Sequence, residues 1–125
     1  MRLSKLTLRK QSSYLRRQGN FLPSYLYYAV SIAGLRCPIS VALPPYRLSI
    51  RPNTPDLRVA RKLVDGAFHE AIRAAKPLQY GLIIDAGGYI GTAAIAFANA
   101  FPDALVISLE PSRHNFEMLR KNTKH

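Results

Sequence analysis

A chain of 125 residues with 48% hydrophobic content is one small domain's worth of sequence with ample material for a core, which excludes a disordered polymer. The formal net charge of +11 is lopsided: residues 1–55 carry nine Lys and Arg and no acid, whereas residues 56–125 carry nine against seven acids. A single cysteine, Cys37, excludes an intramolecular disulfide, so a reducing cytoplasm is the default compartment.

Residues 2–17 hold six Lys and Arg with Tyr14 among them, and they read first as a solvated, mobile arm. A second reading makes the arm a non-catalytic basic module for nucleic acid or an anionic membrane surface, with binding that weakens steeply in salt. An organellar transit peptide has the same composition. Residues 21–46 contain only Arg36 as a charge. A bilayer-spanning helix needs about 20 apolar residues, but Arg36 stops the run at Leu35, and Pro23, Pro38, Pro44 and Pro45 break helical continuity, so no membrane span is expected. The segment also lacks a small-residue cleavage site of the secretory kind. Tyr25, Tyr27 and Tyr28 read as packing or interface residues.

Pro44-Pro45 and Arg51-Pro52-Asn53-Thr54-Pro55 are linker or turn segments around a short strand at Tyr46-Arg47-Leu48-Ser49-Ile50. The boundary therefore falls near residues 44–55, giving a basic N-terminal extension over 1–45 and an α/β domain over 46–125. Thr54 as N-cap, Pro55 at the first helical position and Asp56 near the positive end of the dipole start a helix. Leu57, Ala60, Val64, Phe68, Ala71 and Ile72 continue it at helical spacing, with Gly66 interrupting and Pro77 as the stop.

From Leu82 the period changes. Leu82-Ile83-Ile84 between Gly81 and Asp85 predicts a strand buried on both faces. Thr92 to Phe101 predicts a helix whose alanines lie close to a sheet, Pro102-Asp103 a return turn, and Leu105-Val106-Ile107-Ser108-Leu109 a second strand. Ser112 to Asn122 predicts a helix with Phe116 and Leu119 facing the sheet and Glu117 paired one turn ahead of Lys121. The fold class is α/β, strand-helix-strand-helix, the first two βα units of a doubly wound parallel sheet of Rossmann-like form.

The junctions carry the chemistry. Gly87, Gly88 and Gly91 let the backbone approach a ligand without Cβ interference, and Glu110, 19 residues after Gly91, stands where a carboxylate accepts hydrogen bonds from ribose hydroxyls. Asp85 selects the cofactor: a carboxylate beside the turn repels a pyrophosphate but attracts an ammonium or sulfonium group, which S-adenosyl-L-methionine carries. The alternative, a dinucleotide-binding Rossmann fragment, reads Ala86-x-Gly88-x-x-Gly91 and lacks its first glycine. The candidate cofactor site is Asp85, Gly87, Gly88, Gly91 and Glu110; the bland reading makes them strand-end acids and a tight turn. His69, His114, His125 and Cys37 have no metal-ligand spacing, and no metal is expected.

The stretches Leu82-Ile83-Ile84-Asp85-Ala86-Gly87-Gly88-Tyr89-Ile90-Gly91-Thr92, Ala98-Asn99-Ala100-Phe101-Pro102-Asp103-Ala104, Leu109-Glu110-Pro111-Ser112 and Asn115-Phe116-Glu117-Met118-Leu119-Arg120-Lys121-Asn122-Thr123 resemble the N-terminal half of the FkbM family of S-adenosylmethionine-dependent methyltransferases. Residues 48–56 resemble that family's lead-in, and residues 1–45 lie outside the match. The resemblance implies a seven-stranded methyltransferase sheet and O-methylation of a small-molecule or sugar hydroxyl. It also implies that Asp85 and Gly87 hold the methionine end, that Gly91 closes the turn and that Glu110 takes the ribose. Tyr89 stands where many methyltransferases have a third glycine. His125 ends the chain short of the strands such a fold needs, so no catalytic residue is named. The expectation is a fragment neither stable nor active alone, with an apolar edge lacking its partner strand.

Overall fold

A computed structural model describes residues 4–75 and 81–124, which leaves Arg2, Pro77 and His125 outside the described residues. The architecture is mixed α/β, with six helices, one antiparallel strand pair and one parallel pair among the described residues. The chain forms two compact units, Met1–Val64 and Asp65–His125.

In the first unit the basic N-terminus is helix α1, Lys5–Arg17, and not a mobile arm. Ser4 caps it by accepting the Thr7 N–H at 3.2 Å. Leu8 and Leu15, two turns apart, are buried, and this sparse seam is what the surrounding charges conceal in the sequence. Helix α2, Phe21–Ile32, runs through Pro23 without breaking. Pro23 is its third residue, within the first turn, where backbone N–H groups have no intrahelical acceptor and a missing donor costs nothing. Two polar links join the helices: Ser12 Oγ donates to Ser24 O at 3.0 Å, and Tyr27 Oη donates to Gln11 Oε1 at 3.0 Å.

Strands β1, Ile39–Leu43, and β2, Tyr46–Ile50, form an antiparallel hairpin in the register Leu43↔Tyr46 to Ile39↔Ile50, joined by Pro44-Pro45. The predicted strand at Tyr46 thus takes as partner a strand from residues 1–45 that the sequence pattern did not announce. Val41, Leu43, Leu48 and Ile50 are fully buried in the core of this unit. Asn20, buried just before α2, reads the edge of β1 like another strand: its Nδ2 donates to Ala42 O at 2.6 Å and its Oδ1 accepts the Ala42 N–H at 2.7 Å.

Helix α3, Asp56–Val64, starts where Thr54 and Pro55 predict, with the Asp56 N–H donating to Thr54 Oγ1 at 3.2 Å. Asp56 does more than complement the dipole. Its side chain is fully buried, Arg51 Nε and Nη2 donate to its two oxygens at 2.9 and 3.0 Å, and the Arg51 backbone N–H adds a third bond at 2.9 Å. Burial, with the Asp56 charge as a second cause, pushes the Tyr27 hydroxyl up to about 12, so this tyrosine stays a neutral hydrogen-bond donor.

In the second unit, Gly66 at φ +76° precedes helix α4, His69–Ala75. Strand β3, Leu82–Ala86, helix α5, Thr92–Ala100, strand β4, Leu105–Leu109, and helix α6, Arg113–Asn122, then follow. β3 and β4 pair in parallel from Leu82↔Leu105 to Ala86↔Leu109, with α5 packed against both strands. Buried Ala94 and Ala96 give the close approach expected of an alanine helix. Phe97 packs its ring against Phe68 and Phe101, both at 6.4 Å between centroids.

Two packing expectations are corrected here. β3 is not buried on both faces: Leu82, Ile84, Leu105, Ile107 and Leu109, which the register sets on one face, are exposed, and among the described residues of this unit no helix covers that side. Phe116 is 44% exposed and the buried residues of α6 are Met118, Leu119 and Asn122, a seam shifted from the one the apolar spacing suggested. Glu117 meets Arg113 at 3.8 Å rather than Lys121, in an exposed pair of small energetic consequence. Among the described residues no helix is long and apolar enough to cross a membrane.

The buried Arg51–Asp56 pair makes a direct test of the first unit. Asp56→Ala removes the fully buried counter-charge from a guanidinium with little access to water, and should cost about 3–5 kcal/mol in urea unfolding, while the double variant with Arg51→Met recovers much of it. A single-variant loss below about 1 kcal/mol, the level of an exposed pair, would show the ion pair to be incidental.

Candidate functional site

The predicted site residues come together at the carboxyl ends of β3 and β4. The parallel register sets Asp85 opposite Ser108 and Ala86 opposite Leu109, and the chain then folds over the end of the sheet. The Gly87 and Gly88 N–H groups both donate to Leu109 O, at 2.8 and 3.0 Å, which prolongs the ladder beyond the strands. The Gly91 N–H closes the turn on Gly88 O at 2.7 Å.

The glycines answer different demands. Gly87 has open space around it but a φ of +89°, so its need is conformational. At Gly88 the need is space: a Cβ there would run into Leu119 Cδ1 of α6 and crowd Ser108 Cβ at 3.1 Å and Asp85 Oδ2 at 3.2 Å. Tyr89 takes φ +48°, a left-handed conformation that glycine adopts more easily. Buried Asn122 holds the next residue, donating from Nδ2 to Ile90 O at 2.9 Å.

Glu110 is the clasp of this arrangement. Its Oε2 accepts the Tyr89 N–H at 2.9 Å across 21 residues of sequence, while Oε1 accepts the Ser112 N–H at 2.9 Å and Asn115 Nδ2 at 3.4 Å. The Ser112 N–H, with smaller help from the Tyr89 N–H and Asn115, holds the Glu110 carboxyl below its usual range against the opposing effect of desolvation. Three donors occupy most of what a carboxylate can accept, and on Oε2 there is room for one more. Asp85 is the less engaged acid. Its Oδ2 accepts the Ser108 hydroxyl at 3.0 Å, and among the described residues nothing meets Oδ1.

Ser108, Asn115 and Asn122 belong to this site and were absent from the sequence-derived set. Ser108 carried a signal, as the lone polar residue inside an apolar strand two positions before Glu110. Asn115 and Asn122 carried none that distinguishes them from surface amides. Clefts of about 610 Å³, beside Gly66, His69 and Arg73, and about 250 Å³, beside Lys10, Tyr14, Arg58 and Arg61, are not lined by the predicted site residues. Among the described residues no three His, Cys, Asp or Glu side chains gather as a metal-binding group.

The donor pattern discriminates between ligand classes. The N–H groups of Gly87, Gly88, Tyr89 and Gly91 are taken up by Leu109 O, Glu110 and Gly88 O, so these four do not form a cradle for phosphate oxygens, and the neighbouring groups are two carboxylates. Such a rim suits a cation or a hydroxyl-bearing ligand better than an anion. No protein-family model, no curated protein and no solved structure matches the chain.

Because the Glu110 carboxyl is lowered from 4.5 in the folded state, its stabilising effect is present above that pH and is lost as pH falls through the lower folded value. Glu110→Gln should therefore lose about 1 kcal/mol at neutral pH through mispaired turn donors. In thermal melts followed by circular dichroism, its deficit relative to the native chain should close as the buffer is acidified below 4.5. A deficit constant down to strong acid would mean that the carboxylate is not the clasp.

Proposed function

We propose that the second unit is a cofactor-binding βαβα segment of an S-adenosyl-L-methionine-dependent methyltransferase of the FkbM type. Its reaction would be O-methylation of a hydroxyl on a small molecule or sugar, on a Rossmann-like sheet. The observation that carries the reading is the pairing of two acids, Asp85 and Glu110, with a glycine turn whose Gly87, Gly88, Tyr89 and Gly91 N–H groups are already hydrogen-bonded. Asp85 Oδ1 is the acceptor for the cofactor's ammonium group, Gly87 gives the left-handed turn over which the ligand lies, Gly88 lets that turn close against Leu119, Ser108 and Asp85, and Glu110 Oε2 takes one ribose hydroxyl. Gly91, at φ +89° and with Thr123 Cγ2 2.9 Å from where its Cβ would stand, fixes the start of α5 behind the ligand. The bound cofactor supplies an electrophilic methyl group on a sulfonium; this chain's part is to orient and neutralise it. No residue is assigned to acceptor binding or to proton removal.

The dinucleotide reading is disfavoured because two carboxylates, Asp85 and Glu110, stand beside the turn and repel a pyrophosphate. Calorimetry separates the two. S-adenosyl-L-methionine should bind, and Asp85→Asn should weaken it by about ten- to a hundredfold, the worth of one charge-assisted hydrogen bond. Uptake of a nicotinamide dinucleotide with indifference to the methyl donor would reverse the assignment.

A further inference from the structure

Helix α2 is built inside out. Its buried face carries Ser24, Tyr27 and Ser31, whereas Phe21, Leu22, Tyr25, Leu26 and Ile32, together with Leu35 just beyond the helix, are exposed. Leu22 is 69% exposed, and no charged residue occurs between Phe21 and Leu35. The polar groups on the inner face need no water: Ser24 Oγ donates to Phe21 O at 2.7 Å and Ser31 Oγ to Tyr27 O at 2.6 Å, within the helix itself. The helix packed against it, α1, carries exposed Lys5, Arg9, Lys10, Arg16 and Arg17 with no acid. A large exposed apolar face in a water-facing helix marks an interaction surface.

We propose that the first unit docks on an anionic lipid bilayer, with the outer face of α2 entering the headgroup boundary and the basic residues of α1 meeting the lipid phosphates and carboxylates. The charge pattern selects this occupant. Nucleic acid would satisfy the cations but leave the six large apolar side chains without a partner. A second copy of the chain would cover the apolar face while bringing two acid-free basic helices together. An anionic bilayer offers a partner to each, since apolar area and clustered Lys and Arg add in the binding of interfacial helices. The mode is lying on the surface, consistent with a helix of 12 residues that cannot span. The proposal is independent of the methyl-donor reading.

The test is flotation of the full chain with vesicles of phosphatidylserine and phosphatidylcholine in equal parts, and with pure phosphatidylcholine. The native chain should bind the mixed vesicles, more weakly as salt is raised, and the pure phosphatidylcholine vesicles little. Leu22→Ser with Leu26→Ser, both at exposed positions, should lower binding about tenfold for each leucine while leaving the circular dichroism spectrum unchanged. Arg9→Glu with Arg16→Glu, which spares α2 altogether, should lower it by at least about tenfold and flatten the salt dependence. Unchanged vesicle binding in either folded double variant would overturn the proposal. So would a native chain that ignores both vesicles but self-associates through α2 or binds RNA.

Discussion

The parallel pairing of β3 with β4 is the constraint on which the candidate site depends. Parallel strands cannot be joined by a tight turn, so the chain must leave the end of β3, cross over as α5 and return, and both exits fall at the same end of the sheet. That alone brings Asp85 beside Ser108 across 23 residues of sequence. The glycine turn then extends the pairing with two N–H groups on Leu109 O, and Glu110 ties the first exit to the second through Tyr89 and Ser112. Loss of the register would scatter every predicted site residue at once.

The internal satisfaction of that turn has two sides. Carboxylate and amide groups hold one another across the loop, and the left-handed Tyr89 is tolerated because its N–H is held on Glu110. The same bonds take up the Gly87, Gly88, Tyr89 and Gly91 N–H groups and most of Glu110, while Asp85 keeps an oxygen to offer. Preorganisation and capacity trade against each other within a few ångströms.

The first unit rests on a different kind of interaction. A hairpin of alternating residues gives it a core, but two polar devices set its connections: the Asn20 amide on the edge of β1 and the Arg51–Asp56 pair at the start of α3. Tyr27 lies near the second of these and keeps its proton because it is buried beside Asp56. With Ser24, Tyr27 and Ser31 turned inward, the apolar residues of α2 have nowhere to go but outward.

Local sequence determined what depends on local energetics. The strand at Tyr46, the helix start after Thr54, the break at Gly66, the βαβα order and the glycine turn after Asp85 were legible because periodicity, capping and positive φ act over a few residues. Tertiary structure decided what depends on which faces meet. It turned the basic N-terminus into a packed helix through Leu8 and Leu15 and gave β2 a partner in β1. It also exposed one side of the β3 and β4 pair and placed Asn115 and Asn122 at the site. An apolar residue announces that it prefers burial, but whether a partner surface exists to bury it is a property of the assembled chain, and so is the donor that reaches a carboxylate from 21 residues away.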